Sequence, residues 1–288
     1  MRGAILLGAC LLLASSPLTA DDLPSLARDF WSWRAVHQPI TSDDIPRISR
    51  PHGWAPDWSP GRVDALRGDL LAFGARYRAV ASLPRPAPEE IDYRLLGSAL
   101  ERVHWELDVV RSWRRDPGFY VAQTLGALVD VLLPSSPFTP ERSADVVTRL
   151  SSFPRTLGDG RANLDEAVRP FAHLAIEDLG DIGPRLRTAM GALRPLLAEG
   201  SRPRLDAETE RACAALEGYR AWLQSKEGQL PDPVALGREN YLFFLHKVAL
   251  MPFTPEQVQA MGRQEWARSV TGEALEKQRN QGLAPLPL

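Results

Sequence analysis

Apolar residues recur at spacings of three and four along nearly the whole chain, and no run of alternating β-branched residues bounded by hairpin turns interrupts them. The pattern predicts an all-α protein, an irregular multi-helix bundle of about eight to ten helices. Several helix starts are written as a capping residue followed by proline, whose missing N–H costs nothing at the first helical position. These are Ser59-Pro60, Asp116-Pro117, Thr139-Pro140 and Thr254-Pro255, and Gln257 completes a capping box with Thr254. Breaks are predicted at Leu83 to Pro88, Pro134 to Pro137, Glu199 to Pro203 and Leu230 to Pro233. The stretch from Pro39 to Pro60 is expected to wrap the bundle, with Trp54 and Trp58 as packing anchors. Pro-Phe-Thr-Pro-Glu occurs at Pro137 to Glu141 and again at Pro252 to Glu256. The flanks share no period, so it reads as one helix-loop-helix connector used at two places.

At about 100° per residue, a helix from Glu89 to Arg115 places Ile91, Leu95, Leu96, Leu100, Val103, Leu107 and Trp113 on one half of its wheel. Glu106 and Arg114 fall on that same half, which makes them candidates for a buried ion-pair network, with a cleft-lining role as the alternative. On the opposite face Glu101, His104 and Asp108 stand at metal-compatible spacings, but such charges usually form a solvated face, which is the expectation here and for His173 with Glu177. The segment from Val234 to Leu250 is apolar nearly all round and predicts a central buried helix. On it Glu239 and His246, seven residues or about 10 Å apart, share a stripe. They are expected to be a satisfied core histidine and an ion-paired glutamate, or else to line one groove.

The first twenty residues have a secretory layout: Arg2, an apolar run from Ala4 to Ala14, then small residues ending at Ala20, where cleavage is expected. That run is too short for the roughly 20 residues of a membrane-spanning helix. Only nine residues precede Cys10, too few for a lipoprotein signal, so lipidation is not expected there. The layout predicts a periplasmic or extracellular protein that does not enter the membrane after cleavage. Three parts follow: a signal peptide at 1–20, an N-terminal helix with the Pro/Trp-rich segment and a following helix at 21–88, and a helical domain at 89–288. Cleavage leaves Cys213 alone and no intrachain disulfide. A net charge of −2, with no basic patch interleaved with aromatics, argues against nucleic acid as a partner. There is no His-Glu-x-x-His, no Gly-x-Ser-x-Gly, no Cys/His cluster and no phosphate loop, so no catalytic or metal-binding residue is assigned.

Two blocks carry a family resemblance. The run from Glu101 to Leu128, ERVHWELDVVRSWRRDPGFYVAQTLGAL, and the run from Gly237 to Glu256 continuing through Gly262 to Glu265, resemble the bacterial family filed as domain of unknown function 885. Asp57-Trp58-Ser59-Pro60 and Arg76-Tyr77 are similar to its N-terminal part. The resemblance implies a helical, zinc-peptidase-like fold in proteins about twice this length. It also implies a His-Glu-x-x-Pro-Gly-His metal motif in a C-terminal half to which nothing here corresponds. On this resemblance the chain is expected to be the N-terminal half only, truncated at its C-terminus and inactive alone. Zinc and a peptide substrate are then implied only for full-length relatives, and Glu239, Tyr241 and His246 are candidates for a substrate-cleft wall. The competing expectation is a stand-alone periplasmic helical binding or scaffold protein. A half fold would expose apolar surface around Tyr241 to Leu250.

Overall fold

The computed structural model describes residues 22–41, 50–81, 85–135 and 137–284. The expected signal peptide with Cys10, and part of the predicted break at Leu83 to Pro88, lie outside the described residues. Among the described residues there is no strand, and no helix is long and apolar enough to cross a membrane. The helices are α1 (Leu23–His37), α2 (Pro60–Val80), α3 (Ala87–His104), α4 (Ser112–Arg115), α5 (Pro117–Val121), α6 (Ala127–Leu132), α7 (Pro140–Asn163), α8 (Arg169–Asp178), α9 (Ile182–Leu193), α10 (Arg202–Lys226), α11 (Arg238–Phe243) and α12 (Pro255–Arg279). With α5 and α6 joined into one run and the single turn α4 set aside, these make ten, within the range the sequence predicts. All four proline-marked starts are helix starts, and Thr254 and Gln257 form the reciprocal capping box.

The core centres on α7 and α10. Val146, Leu150, Phe153 and Leu157 of α7, at helical spacing, face Leu205, Cys213, Leu216, Tyr219 and Leu223 of α10, and α9 closes over α10. The thiol of Cys213 is buried and donates to the Gly183 carbonyl at 3.5 Å. At the C-terminal end of α7, polar groups tie five segments together. Asn163 Nδ2 donates to the Trp58 carbonyl at 2.7 Å and to the Tyr120 hydroxyl at 3.0 Å. Tyr120 donates on to the Trp113 carbonyl at 2.7 Å, and Tyr219 donates to the Pro117 carbonyl at 3.1 Å. Gly160 is required here, because a Cβ at that position would sit 2.7 Å from the Tyr120 ring.

The long helix predicted from Glu89 to Arg115 does not run straight through. After His104 the chain widens into a π-turn, Trp105–Val109, and Arg111 then adopts a left-handed φ of 48° before α4 begins. A π-turn adds one residue to the winding, which changes the face presented by everything after it. Leu96, Leu100, Val103 and Leu107 are buried as predicted, but Ile91 and Leu95 are 60% and 54% exposed. Glu106 is in a buried ion pair, with Arg34 at 2.6 Å and with Arg102 from the next turn at 3.6 Å. Arg114, predicted to share that network, lies beyond the break. It makes a two-pronged pair with Asp165 and a third contact with Glu166 near the surface.

The prediction of a central buried helix over Val234 to Leu250 is also corrected. Residues 230–237 form no helix, α11 is short, and another π-turn, Phe244–Val248, follows it. Only Leu245 and Val248 of the segment are buried, because it packs mainly on α3 and on Trp105 of the π-turn that follows it, at the edge of the bundle. Replacing Asn163 with Ala is expected to destabilise the protein by about 2–3 kcal/mol by leaving the buried Trp58 carbonyl and Tyr120 hydroxyl short of a donor, read as a lower urea midpoint at unchanged slope.

Candidate functional site

The edge formed by α3 and α11 carries most of the residues that the sequence singles out. The two segments run in opposite directions. Ser98 Oγ donates to the Val248 carbonyl at 2.7 Å, and at the other end the Phe243 ring packs against His104 and Trp105, with centroids 5.7 and 6.3 Å away. Phe244 lies 5.1 Å from Trp105, so the two π-turns meet through aromatic rings. Large rings at a widened turn fill the space that regular α-helical packing would leave too narrow.

Glu239, Tyr241 and His246 all lie on this edge, and all three are exposed, so His246 is not a core histidine, and no ion pair to Glu239 is found among the described residues. No hydrogen bond joins any two of them among the described residues. Glu256 at the start of α12 takes up Arg238 at 2.8 Å, and that hydrogen bond, with help from its own backbone, holds its carboxyl down to about 2.

On the neighbouring face His104 Nδ1 lies 3.2 Å from Asp108, and the same carboxylate accepts from Arg67 Nε at 2.8 Å. A guanidinium therefore occupies the position from which a cation would be held, and Glu101 does not join the pair. His173 is likewise engaged by Glu227 at 2.8 Å and Glu177 at 3.3 Å at the surface, which raise its pKa, the Glu227 bond first.

Periodicity alone misses a cavity of about 250 Å³ under the Pro/Trp-rich segment, lined among others by His37, Trp54, Trp58, Arg62 and Gln123. Gln123, 1% exposed, pins this segment by exchanging both amide hydrogen bonds with the backbone of Ile40, at 2.8 and 3.0 Å. Trp54 donates to the Val36 carbonyl at 2.6 Å, and the guanidinium groups of Arg50 and Arg149 both lie over its ring, at 4.4 and 4.6 Å. Burial, then Arg62, lowers the His37 pKa to about 4. Arg62 Nη2 lies 2.6 Å from its Nε2, so the neutral ring accepts. The two indoles are the only hint of this cavity in the sequence, where they read as packing anchors.

The profile of a family described as "Bacterial protein of unknown function (DUF885)" matches residues 48–278. The chain belongs to this DUF885 family. No curated protein matches it. A solved structure from Shewanella oneidensis, described as that of a "putative lipoprotein of unknown function", is similar over 92% of this chain, with a TM-score of 0.63 and 17% identity. The chain spans about half of that protein, 49% of its length. At this identity the likeness is one of fold.

The family resemblance implies zinc only for full-length relatives, through a motif to which no residue here corresponds. No group of three His, Cys, Asp or Glu side chains that could hold a metal exists among the described residues, and the His104–Asp108 pair at metal-compatible spacing is closed by Arg67. Replacing His104 with Ala is expected to leave zinc retention in equilibrium dialysis unchanged.

His37 gives the fold a pH dependence whose sign follows from its lowered pKa. As pH falls from about 6.5 the unfolded chain takes up a proton that the folded ring refuses until about 4, so stability present above 6.5 is lost across that window. His37→Gln is expected to flatten that part of the curve, by about 1–2 kcal/mol after discounting for partial exposure, in urea titrations between pH 4 and 7.

Proposed function

We propose that this DUF885 chain is the N-terminal helical region of a zinc-peptidase-like fold, contributing support and one wall of a substrate cleft and having no catalytic activity by itself. The observation that carries the reading is the α3–α11 edge. It sets Tyr241, Leu250 and Phe253 outward, in a chain whose fold matches only 49% of a similar structure. A cleft wall needs a rigid backing, and here it has one: Leu96, Leu100 and Val103 anchor α3 in the core while Ser98 and Trp105 fix α11 upon it. Glu239, Tyr241 and His246 then present an acceptor, a hydroxyl and an imidazole toward the cleft. In a full-length relative the substrate would be a peptide, with zinc and its activated water supplied from the other half. Residues 1–20 support export to the periplasm or beyond.

A second reading, a stand-alone periplasmic helical binding protein, draws on the closed core of α7, α9 and α10 and on the indole-lined cavity beside His37. Zinc stoichiometry and peptide hydrolysis on the purified chain test the first reading. The expected outcome is less than about 0.1 zinc per chain after dialysis and no zinc-dependent turnover; one tightly held zinc with turnover would sink it.

A further inference from the structure

Arg62 is a half-buried cation in the lining of the cavity beside His37, and among the described residues it makes no ion pair. Other arginines withdrawn from solvent are compensated. Arg34, Arg67, Arg111 and Arg114 each hold a carboxylate, and Arg142 reaches the carbonyls of Val131, Leu132 and Ser135. Arg62 has only the neutral ring of His37, which Nη2 meets at 2.6 Å, and among the described residues its Nε and Nη1 have no acceptor. Withdrawing a cation from water costs free energy that an uncharged acceptor offsets only in part.

The rest of the polar wall has little to offer a guest. The Val36, Gln38, Pro56 and Trp58 carbonyls already accept from Trp54, Arg50, Arg155 and Asn163, and the Gln123 amide is spent on Ile40. Water held there finds few partners besides Arg62, which favours its displacement by an apolar group. Trp58 and Leu66, the latter one turn after Arg62 on α2, supply the apolar wall. Asp57 is the exposed member of the lining, so the cavity opens beside a carboxylate. A dianion entering there would meet one open cation and one fixed negative charge, whereas a monoanion matches Arg62 alone. The volume of about 250 Å³ equals that of roughly eight waters, room for a body of about ten non-hydrogen atoms.

We propose that this cavity binds a small organic monocarboxylate, with its carboxylate on Arg62 through charge-assisted N–H bonds and its apolar body against Trp58 and Leu66. The inference rests on the binding role that the second reading under Proposed function gives this cavity, and takes nothing from the half-fold.

The test titrates the full chain, labelled with nitrogen-15, with phenylacetate, with pentanoate and with the uncharged phenylacetamide, following the indole N–H signals of Trp54 and Trp58. The expected result is a saturable shift with at least one of the two acids, at a dissociation constant below about 1 mM and about tenfold or more tighter than for the amide. Arg62→Gln is expected to weaken that acid by about tenfold or more, and Arg62→Lys, which keeps the charge without the planar fork, by less. If Arg62→Gln does not fold, the comparison of acid with amide on the unaltered chain decides. Equal affinity for phenylacetate and phenylacetamide, or an affinity unchanged in Arg62→Gln, would overturn the inference while leaving the cavity a binding role. No saturable shift of either indole by about 10 mM of any of the three compounds would overturn the inference and that binding role together.

Discussion

Tyr120 is fully buried, and a buried phenol must have somewhere to place its hydroxyl. Trp113 accepts from it and Asn163 donates to it, and Asn163 in turn reaches the Trp58 carbonyl. Through these bonds the Pro/Trp-rich segment, the turn after the first π-bulge, α5 and the end of α7 are fixed in one register. Once that register is set, Trp58 packs edge-on against Phe119 and takes its place in the lining of the cavity beside His37. The close approach of the Tyr120 ring to Gly160 shows how little slack the arrangement has.

Charge does a different job. Arg34 is 4% exposed and pairs with Glu106, joining α1 to the start of the π-turn after α3. Such a pair adds little net stability over apolar residues of the same size, but it penalises any packing that separates the partners. Arg149, equally buried, stacks on Trp54 while its Nε and Nη1 make no hydrogen bond, so the indole face compensates only part of its desolvation. Burial lowers its pKa accordingly, as it lowers that of Arg50 to about 10. Around the N-terminal segment, arginine and tryptophan thus replace the aliphatic packing of the α7–α10 core.

The helical class and the helix starts were legible because each proline start and each cap is a local event decided within four residues. The apolar faces of α7 and α10 follow the same rule. What failed were inferences that assumed constant winding. Arg114 was placed by counting 100° steps across a segment that contains a π-turn and a left-handed residue, and neither leaves a mark in composition. The segment from Val234 to Leu250 misled for another reason: apolar content signals a need for cover, but does not say whether the same bundle supplies it. The expected exposure around Tyr241 came from the family resemblance rather than from periodicity. His37 and Arg62 were invisible because a cavity is a property of segments far apart in sequence.

The π-turns at Trp105–Val109, Ala122–Gly126 and Phe244–Val248, three among the described residues, have a further consequence for how this fold can vary. Among the described residues each is a helix carrying one more residue than regular winding requires, so a single deletion there would restore an ordinary turn, shift the rings within it and leave the following segment facing nearly as before, whereas a deletion from a regular turn would swing that segment by about 100°. Two of the three face each other through Trp105, Phe243 and Phe244. A change in length on one side would move rings that the other side is shaped to meet. Loss or gain of a residue at this edge should therefore be inherited in pairs, and aligned relatives should show compensating gaps in the two turns where substitution counts alone would show only divergence.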